Sequence, residues 1–462
     1  MSDFSIISKL GSTCSKIEVS NEIYKKSHIL NNKKEYSAIT KGIKCLLKEN
    51  PETVHEPLEI SNNFNNKDST QLKFFYQQRK LIPWIEPSWI TGEQLYRVGM
   101  TILSQQKILV ENNLSFVDAR PSNYWLAINH GKLVDLAGIK PISKQNVLSF
   151  ESDFNNNFIN PLILEKDLNI PISQFFKGNL ESCTINLWGF LSTLRSFNRF
   201  KEASKSSIIN YISNKISSSS PDFIEYLNSN HTIEQNIEVN RKAINKRLLN
   251  KIKLLNSLRP TKINKSNWDN YDSFHNEIYT QNKLKAITNF VNKYQNDFNI
   301  VDLGSNLTTK NLKGIYLRVD NDISVCRQMR QFFDDKKIIL QLNIAHCLCF
   351  EDTNENKALN LFGEVKASIM TSIIHHLLID YGLPLEIVFR NLANLYSRVL
   401  LEYPTKDDPM VKLLIRKKNE KIIWDWDKIH KPECLKYFKI DKRYNLSETR
   451  FMIELSKYTS YQ

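Results

Sequence analysis

The pattern of apolar and polar positions is clearest in the C-terminal part of the chain. Short apolar runs near residues 300, 316, 340, 367 and 400 are separated by stretches whose apolar residues recur at helical spacing. Strands that alternate with helices in this way predict an α/β domain with a parallel sheet. Two further runs, Tyr437–Tyr444 and Thr449–Leu455, predict a terminal strand pair, so that the last strand is antiparallel to the others.

The first two of these strands each end in a carboxylate. The first is followed by a glycine turn at Gly304, and a short helix is predicted before the second strand begins near Gly314. The carboxyl ends of parallel strands form the edge where ligands bind, which places Asp302, Gly304 and Asp320 there. A glycine lets the backbone approach a ligand closely, and an acidic residue after the second strand can accept both hydroxyls of a ribose.

Asp322 is the alternative to Asp320 in the ribose role. It lies on the same side of the strand only if the strand extends that far. Asp320 is favoured because the apolar run Ile315–Val319 ends immediately before it.

The N-terminal part of the chain predicts an α-rich α+β domain. Apolar residues at helical spacing predict helices at Ala38–Lys48 and from Gly92 to about Val110. A hairpin is predicted near residues 126–136, and mainly helical structure follows it. Pro260 ends a helix inside a predicted linker at 257–266, which separates domains at 1–256 and 267–462.

The segment around that hairpin resembles the catalytic loop and metal-binding segment of protein-kinase-like folds. Asp118 and Asn123 have the D-x-x-x-x-N spacing, and Asp135 takes the place of the DFG aspartate. The resemblance implies a catalytic base and metal ligands at these positions. Because Val117 replaces the usual arginine, and no glycine-rich loop or matching lysine precedes it, we expect a degenerate form rather than a working kinase. The alternative is that Asp118 and Asn123 brace the loop and the hairpin through hydrogen bonds to the backbone.

Composition limits the class of protein. The chain has 462 residues, 41% of them hydrophobic and 24% charged, which is enough to form packed cores and is not typical of disorder. The net charge of +14 indicates either a nucleic-acid partner or a generally lysine-rich surface. The second interpretation is favoured, because no basic-aromatic repeat or zinc finger accompanies the charge. A basic amphipathic helix at Arg241–Lys253 is the candidate RNA-binding surface, with a solvated helix face as the favoured alternative.

Cysteine usage predicts the compartment. The seven cysteines are scattered and form no CxxC motif, which argues against a metal site or a disulfide framework and favours a reducing cytoplasm. No apolar run has the length of a membrane span, and the N-terminus lacks the pattern of a signal peptide. We therefore expect a cytoplasmic protein that has no membrane partner.

Four motifs in the C-terminal part, together with Asn267-Trp268, carry a resemblance to class I S-adenosylmethionine-dependent methyltransferases over roughly residues 262–462. The motifs are Asp302-Leu-Gly304-Ser-Asn306, Val319-Asp320-Asn-Asp322, Ile374-His375-His376-Leu377 and, as the most specific of them, Leu401–Val411. The resemblance implies a Rossmann-like sheet and binding of S-adenosylmethionine. It also implies transfer of the methyl group to an acceptor that the sequence does not identify.

The resemblance also implies roles for single residues. Asp302 and Gly304 line the methionine part of the cofactor, and Asn306 belongs to the same turn. Asp320 holds the ribose, while Asn343 and Ile344 flank the adenine. His375 and His376 face the methyl-transfer site, where either is a candidate base if the acceptor must lose a proton. The alternative for the two histidines is that one is buried and packed while the other is solvated.

Two other functions remain open from the sequence. Leu307-Thr308 stands where the family has a threonine-glycine pair. A non-catalytic, methyltransferase-like scaffold or regulatory protein is therefore the alternative function. An RNA-binding protein that uses the basic helix is the third interpretation.

Overall fold

The computed structural model of the chain describes twelve segments. They are residues 14–19, 23–64, 72–81, 83–128, 130–168, 172–176, 241–260, 277–305, 309, 311–332, 337–418 and 436–458. The chain divides into two compact units. The first comprises Met1–Ile82, Glu86–Ser88 and Gly92–Pro260, and the second Pro83–Ile85, Trp89–Thr91 and Thr261–Gln462. Asn306, Asn267-Trp268 and part of the predicted linker lie outside the described residues, as do residues 177–240 of the predicted helical region.

An antiparallel sheet of four strands, in the order β1–β2–β4–β3, opens the first unit. Its strands are β1 (Cys14–Val19), β2 (Ile23–Leu30), β3 (Glu59–Asn62) and β4 (Leu72–Arg79). Strand β4 alternates between buried and more exposed positions, so one face of the sheet packs inward. The sequence did not predict these strands, because Lys25 and Lys26 interrupt the apolar alternation of β2.

Six α-helices accompany this sheet in the described part of the first unit. They are α1 (Lys33–Glu49), α2 (Gly92–Glu111), α3 (Lys144–Phe154), α4 (Asn160–Leu168), α5 (Ile172–Phe176) and α6 (Arg241–Leu258). Helix α1 begins earlier than predicted, because the Asn32 side chain caps it by accepting the Glu35 N–H at 3.1 Å.

Two short strand pairs follow α2. Strand β5 (Leu114–Phe116) pairs with β8 (Ile139–Pro141), and β6 (Tyr124–Trp125) pairs with β7 (Lys132–Leu133). The second pair is the predicted hairpin, although its first strand begins two residues before the predicted range. Gly131, with φ of +68°, lies in its turn, where a residue with a side chain would be strained.

A mixed seven-stranded sheet forms the centre of the second unit. Its strands are β9 (Asn299–Leu303), β10 (Ile315–Asp320), β11 (Ile338–Gln341), β12 (Val365–Met370), β13 (Arg398–Pro404), β14 (Phe438–Asn445) and β15 (Arg450–Lys457). Their order is β11–β10–β9–β12–β13–β15–β14. The first five strands are parallel, and β15 is antiparallel to both of its neighbours. The prediction of a mostly parallel sheet with an antiparallel last strand is confirmed.

Six α-helices accompany the described part of this sheet. They are α7 (Glu277–Tyr294), α8 (Ile323–Phe332), α9 (Ile344–Cys349), α10 (Asn354–Ala358), α11 (Leu385–Leu395) and α12 (Pro409–Lys418). Helix α7 buries Ile287 and Phe290 in a cluster with Ile300, Ile369 and Leu400 of three neighbouring strands. This apolar layer fixes α7 on the sheet, because burial of such side chains is the main stabilising term in folding.

The connection between β9 and β10 is described only at residues 305, 309 and 311–313, so the short helix predicted there stays a prediction. Those five described residues, between Gly304 and Gly314, are not helical. Both glycines have positive φ, +68° and +88°, and the chain turns at each of them. The Thr309 hydroxyl bonds back to Asp302, which draws the loop down onto the end of β9.

Candidate functional site

The carboxyl ends of four neighbouring strands form the candidate site. Gly304 follows β9, Asp320 is the last residue of β10, Asn343 follows β11 and Ser372 follows β12. In chain order, β10 and β11 lie on one side of β9, and the next strand, β12, lies on its other side. The carboxyl edge between β9 and β12 is therefore a topological switch point, the position where open α/β sheets bind ligands.

Asp302 braces the turn that carries Gly304. Its side chain is completely buried, and its Oδ2 accepts hydrogen bonds from Ser305 Oγ, at 2.7 Å, and from Thr309 Oγ1. Burial raises the pKa of Asp302, while the two hydroxyls and the buried guanidinium of Arg318 oppose that rise. Its Oδ1 has no hydrogen-bond partner among the described residues. One carboxylate oxygen of Asp302, which the sequence predicted as a cofactor residue, is therefore already bonded to the loop that follows β9.

Gly304 makes room for a neighbouring side chain. A Cβ at this position would lie 3.1 Å from Cδ1 of Ile373, which follows β12. The Gly304 N–H donates to the Val319 carbonyl at 2.8 Å, which ties the turn to β10. The positive φ and this contact with Ile373 together account for a glycine here.

Asp320 and Asp322, the two candidates for the ribose role, accept different backbone N–H groups. Asp320 Oδ1 accepts the Asp322 N–H at 2.8 Å, and 8% of the Asp320 residue surface is exposed. Asp322 Oδ1 accepts the Ser324 N–H at 2.7 Å, so Asp322 caps the start of α8. Asp320 ends the strand, whereas Asp322 belongs to the helix that follows.

Asn343 and Ile344 lie at the end of the next strand. The Asn343 side chain caps α9 by accepting the His346 N–H at 3.2 Å. Ile344 is buried as the first residue of that helix. A polar and an apolar residue thus stand side by side where an adenine was expected.

The two histidines have different surroundings. His375 is fully buried, and neither ring nitrogen has a hydrogen-bond partner among the described residues. Burial, and then the nearby His376, lower the pKa of His375 well below its usual value, so its ring is neutral. His376 lies in a π-helical turn, where its Nδ1 is 2.6 Å from Asp380 Oδ2. The side chain of His376 is 14% exposed.

A buried ion network, which we call the Glu402 network, lies beside this edge. Its members are Tyr279 and Lys283 of α7, Ser372 after β12, Glu402 of β13, Asp408 before α12, and Arg450 of β15. Arg450 donates to both oxygens of Asp408, at 2.7 and 3.0 Å, and to Glu402 at 3.0 Å. Lys283 Nζ lies 3.1 Å from the other oxygen of Glu402.

Charge compensation keeps Glu402 ionised. Burial alone would raise its pKa, but Lys283 and Arg450 hold the pKa of Glu402 far below its usual range. Sequence reasoning included Glu402 and Asp408 in a motif but missed Tyr279, Lys283 and Arg450. The available signal was Arg450 at the start of strand β15, whose next three residues are apolar, since a charge in a buried strand needs a partner.

The predicted kinase-like residues come together in the first unit. Asn123 Nδ2 donates to Asp118 Oδ2 at 3.2 Å, and the Asn123 carbonyl accepts the N–H groups of Val134 and Asp135. Asp135 Oδ1 accepts the Ala137 N–H at 3.2 Å. One of these four bonds joins two side chains, two join backbone groups and one joins a side chain to the backbone. Together they connect the loop to the hairpin.

A buried lysine that the sequence did not single out joins this group. Lys26 of β2 donates to the Val134 carbonyl at 3.0 Å and lies over the Tyr76 ring, 5.4 Å from its centre.

Asp118 lies against Gly138, because a Cβ at position 138 would be 2.7 Å from Asp118 Oδ1. Burial, and then the charge of Asp135, raise the pKa of Asp118 to about 6. Within the described segments, no cluster of three or more acidic, histidine or cysteine side chains is arranged to hold a metal ion.

The basic helix α6 packs on the rest of the first unit through Ile244, Leu248 and Leu255. Two of its cations have partners in that unit: Arg247 Nε lies 3.2 Å from Glu151, and Lys251 donates to an asparagine at 2.8 Å. In the part of the chain that the structure covers, no helix is both long enough and apolar enough to cross a bilayer.

Comparisons with known proteins give only remote likenesses. No protein-family model matches the chain, and neither does any curated protein sequence. The PH0226 protein of Pyrococcus horikoshii OT3 is 14% identical over 41% of this chain and 95% of its own, with a TM-score of 0.27. A magnesium protoporphyrin IX methyltransferase from Synechocystis PCC 6803, solved with bound SAH, is 12% identical over 47% of this chain and 100% of its own, with a TM-score of 0.26. These scores do not establish a shared fold, and the sheet order given above rests on the structure alone.

Proposed function

We propose that the second unit is an S-adenosylmethionine-dependent methyltransferase. The observation that carries the proposal is the placement of Gly304 at the switch point of the sheet, with Asp320 at the end of the adjacent strand. In doubly wound α/β folds that bind dinucleotides, a glycine turn and a carboxylate on neighbouring strands hold the ligand in this way. The methyltransferase-like motifs of the sequence fall on the same edge.

The residues at this edge fit the nucleoside part of the cofactor. The Asp320 carboxylate would accept the ribose hydroxyls, and Asn343 and Ile344 would border the adenine. The bound cofactor supplies an electrophilic methyl group. The contribution of the chain is to hold cofactor and acceptor in line, since positioning supplies much of the rate of such a transfer.

We infer different roles for the two histidines from their surroundings. A histidine whose pKa is well below its usual value is a weak base at neutral pH, which argues against His375. His376 has a carboxylate, Asp380, that orients its ring. We therefore assign His376 as the base for an acceptor that must lose a proton.

Calorimetric titration with S-adenosylmethionine tests the proposal against the non-catalytic scaffold. The wild-type chain should bind the cofactor, and Asp320→Asn should bind it at least about tenfold more weakly, because a bond to a charged group contributes about 1.5–3 kcal/mol. The asparagine keeps an acceptor for the Asp322 N–H, so the turn is retained. Asp297→Asn, an exposed position just before β9, is the matched control and should bind as wild type does. Absence of heat at millimolar cofactor would refute the proposal and favour the scaffold.

A further inference from the structure

Ser372 has an unusual backbone conformation at the candidate site. It follows β12 with φ of +55°, in the left-handed region that residues with a side chain seldom adopt. The next residue, Ile373, is the one that packs against Gly304. The Ile373 carbonyl also accepts the N–H groups of His376 and Leu377, which begins the turn that carries the two histidines.

Glu402 holds Ser372 in this conformation. One carboxylate oxygen, Oε2, accepts both the Ser372 N–H at 3.1 Å and the Ser372 hydroxyl at 3.0 Å. Lys283 donates to the same hydroxyl at 3.0 Å. The backbone and side chain of one strained residue are therefore both bonded to a single carboxylate, which over-determines its conformation.

The remainder of the Glu402 network fixes that carboxylate. Its other oxygen, Oε1, accepts the Tyr279 hydroxyl at 2.7 Å and the Arg450 guanidinium at 3.0 Å. Glu402 is fully buried, so it has no solvent-facing conformation available. In the observed position its two oxygens satisfy all of these donors.

We propose that Glu402 is a positioning residue, which keeps Ser372 left-handed so that Ile373 closes against Gly304 and the histidine turn begins at the correct place. The inference rests on the proposed function, since it concerns the shape of the same site. A relaxed Ser372 would redirect the chain after β12, and both the contact at Gly304 and the start of the histidine turn would move. Backbone strain of this kind is found at ligand sites, where the surrounding structure maintains it.

The competing explanation is that the Glu402 network only attaches α7 to the sheet. The chain contains a matched control for this explanation. At the last turn of the same helix, Lys293 and Tyr294 both bond to Glu454, a buried carboxylate of β15. Glu454→Gln therefore removes an equivalent attachment without touching Ser372.

Hydrogen exchange without any ligand tests the positioning role directly. Glu402→Gln should speed exchange of the amides at residues 372–377 by at least about tenfold, as loss of a charged hydrogen bond predicts. Adding Ser372→Gly should restore slow exchange to within about threefold of wild type, because glycine adopts positive φ at no steric cost. Glu454→Gln should leave these amides unchanged.

A milder pair of variants covers the case in which Glu402→Gln does not fold. Ser372→Ala and Ser372→Gly both remove the hydroxyl, and only glycine tolerates the left-handed conformation. The alanine variant should exchange faster at residues 372–377 than the glycine variant. Equal exchange in the two variants, or a double variant that is no slower than Glu402→Gln, would overturn the positioning role.

Cofactor titration of the same proteins then tests whether the conformation of Ser372 affects cofactor binding. Binding of S-adenosylmethionine should weaken in Glu402→Gln and recover in the double variant, while Glu454→Gln binds as wild type does. A wild-type chain that binds no cofactor would refute the proposed function, and hydrogen exchange would still decide the role of Glu402. Cofactor binding unaffected by Glu402→Gln, despite faster exchange, would refute the link between the two.

Discussion

Replacing Asp118 with asparagine should stabilise the protein in a pH-dependent way. Asp118 lies between Asn123, which donates to it, and Gly138, which its Oδ1 approaches closely. Asparagine has nearly the same shape, presents an oxygen to Asn123 and stays neutral at every pH. The substitution therefore removes the cost of an ionised carboxyl and little else.

The magnitude follows from the pKa of Asp118, which burial and the neighbouring Asp135 raise from 3.8 to about 6. A shift of about two pH units corresponds to about 3 kcal/mol. Because the pKa is raised in the folded state, the contribution of Asp118 to stability is intact below pH 3.8 and is lost as the pH rises through about 6. We expect Asp118→Asn to gain up to about 3 kcal/mol at pH 7 and almost nothing at pH 4.

Urea unfolding of wild type and variant at pH 4, 5.5 and 7 measures the difference. Asp297→Asn, which changes an exposed aspartate, provides the control and should alter stability little at any of these pH values. A variant that is less stable than wild type at pH 7 would refute the argument. That outcome would mean that the ionised carboxylate is stabilised in the folded protein, as a ligand role would require.

Three further results are expected. His375 has a lowered pKa, so the stability it contributes is complete above pH 6.5 and lost below it; His375→Leu should flatten the fall in the free energy of unfolding between pH 6.5 and 5. Asp322→Ala should cost about 1 kcal/mol in urea unfolding, because it removes the cap of α8. Reversing Lys242 and Lys246, which are exposed on α6, should leave single-stranded RNA binding unchanged. If both lysines contacted phosphates, the slope of log K against log salt would instead change by about 0.7 for each.

The parallel sheet was predictable because its strands are buried on both faces and therefore appear as short, continuous apolar runs. The N-terminal sheet was not predictable in the same way. Strand β2 contains a buried lysine, Lys26, whose ammonium group is satisfied by the Val134 carbonyl, more than a hundred positions away. A local pattern carries no trace of such a partner.

Prediction of the candidate site from the sequence has the same limit, because a local pattern does not show which distant groups a side chain contacts. The positions of Asp302, Gly304 and Asp320 at one edge follow from strand ends, which a sequence displays. The difference between Asp320 and Asp322 in hydrogen bonding depends on which backbone N–H each carboxylate accepts, and the sequence does not show this. The strain at Ser372 depends on α7, β13 and β15 meeting at one point, which only the tertiary structure determines.

Helix α7 bonds to buried carboxylates near both of its ends, and the two ends serve different purposes. Two acids and two cations buried together in the Glu402 network contribute less to stability than their number suggests, because desolvation offsets their attraction. Apolar residues could attach the helix equally well, but they could not bond to the backbone N–H and hydroxyl of Ser372. The charge in the Glu402 network is therefore explained by the conformation of Ser372 rather than by stability.

Glu454 bonds to side chains of Lys293, Tyr294 and Tyr444, none of which needs its backbone held. The difference between the two carboxylates locates the functional constraint at the carboxyl edge of β12.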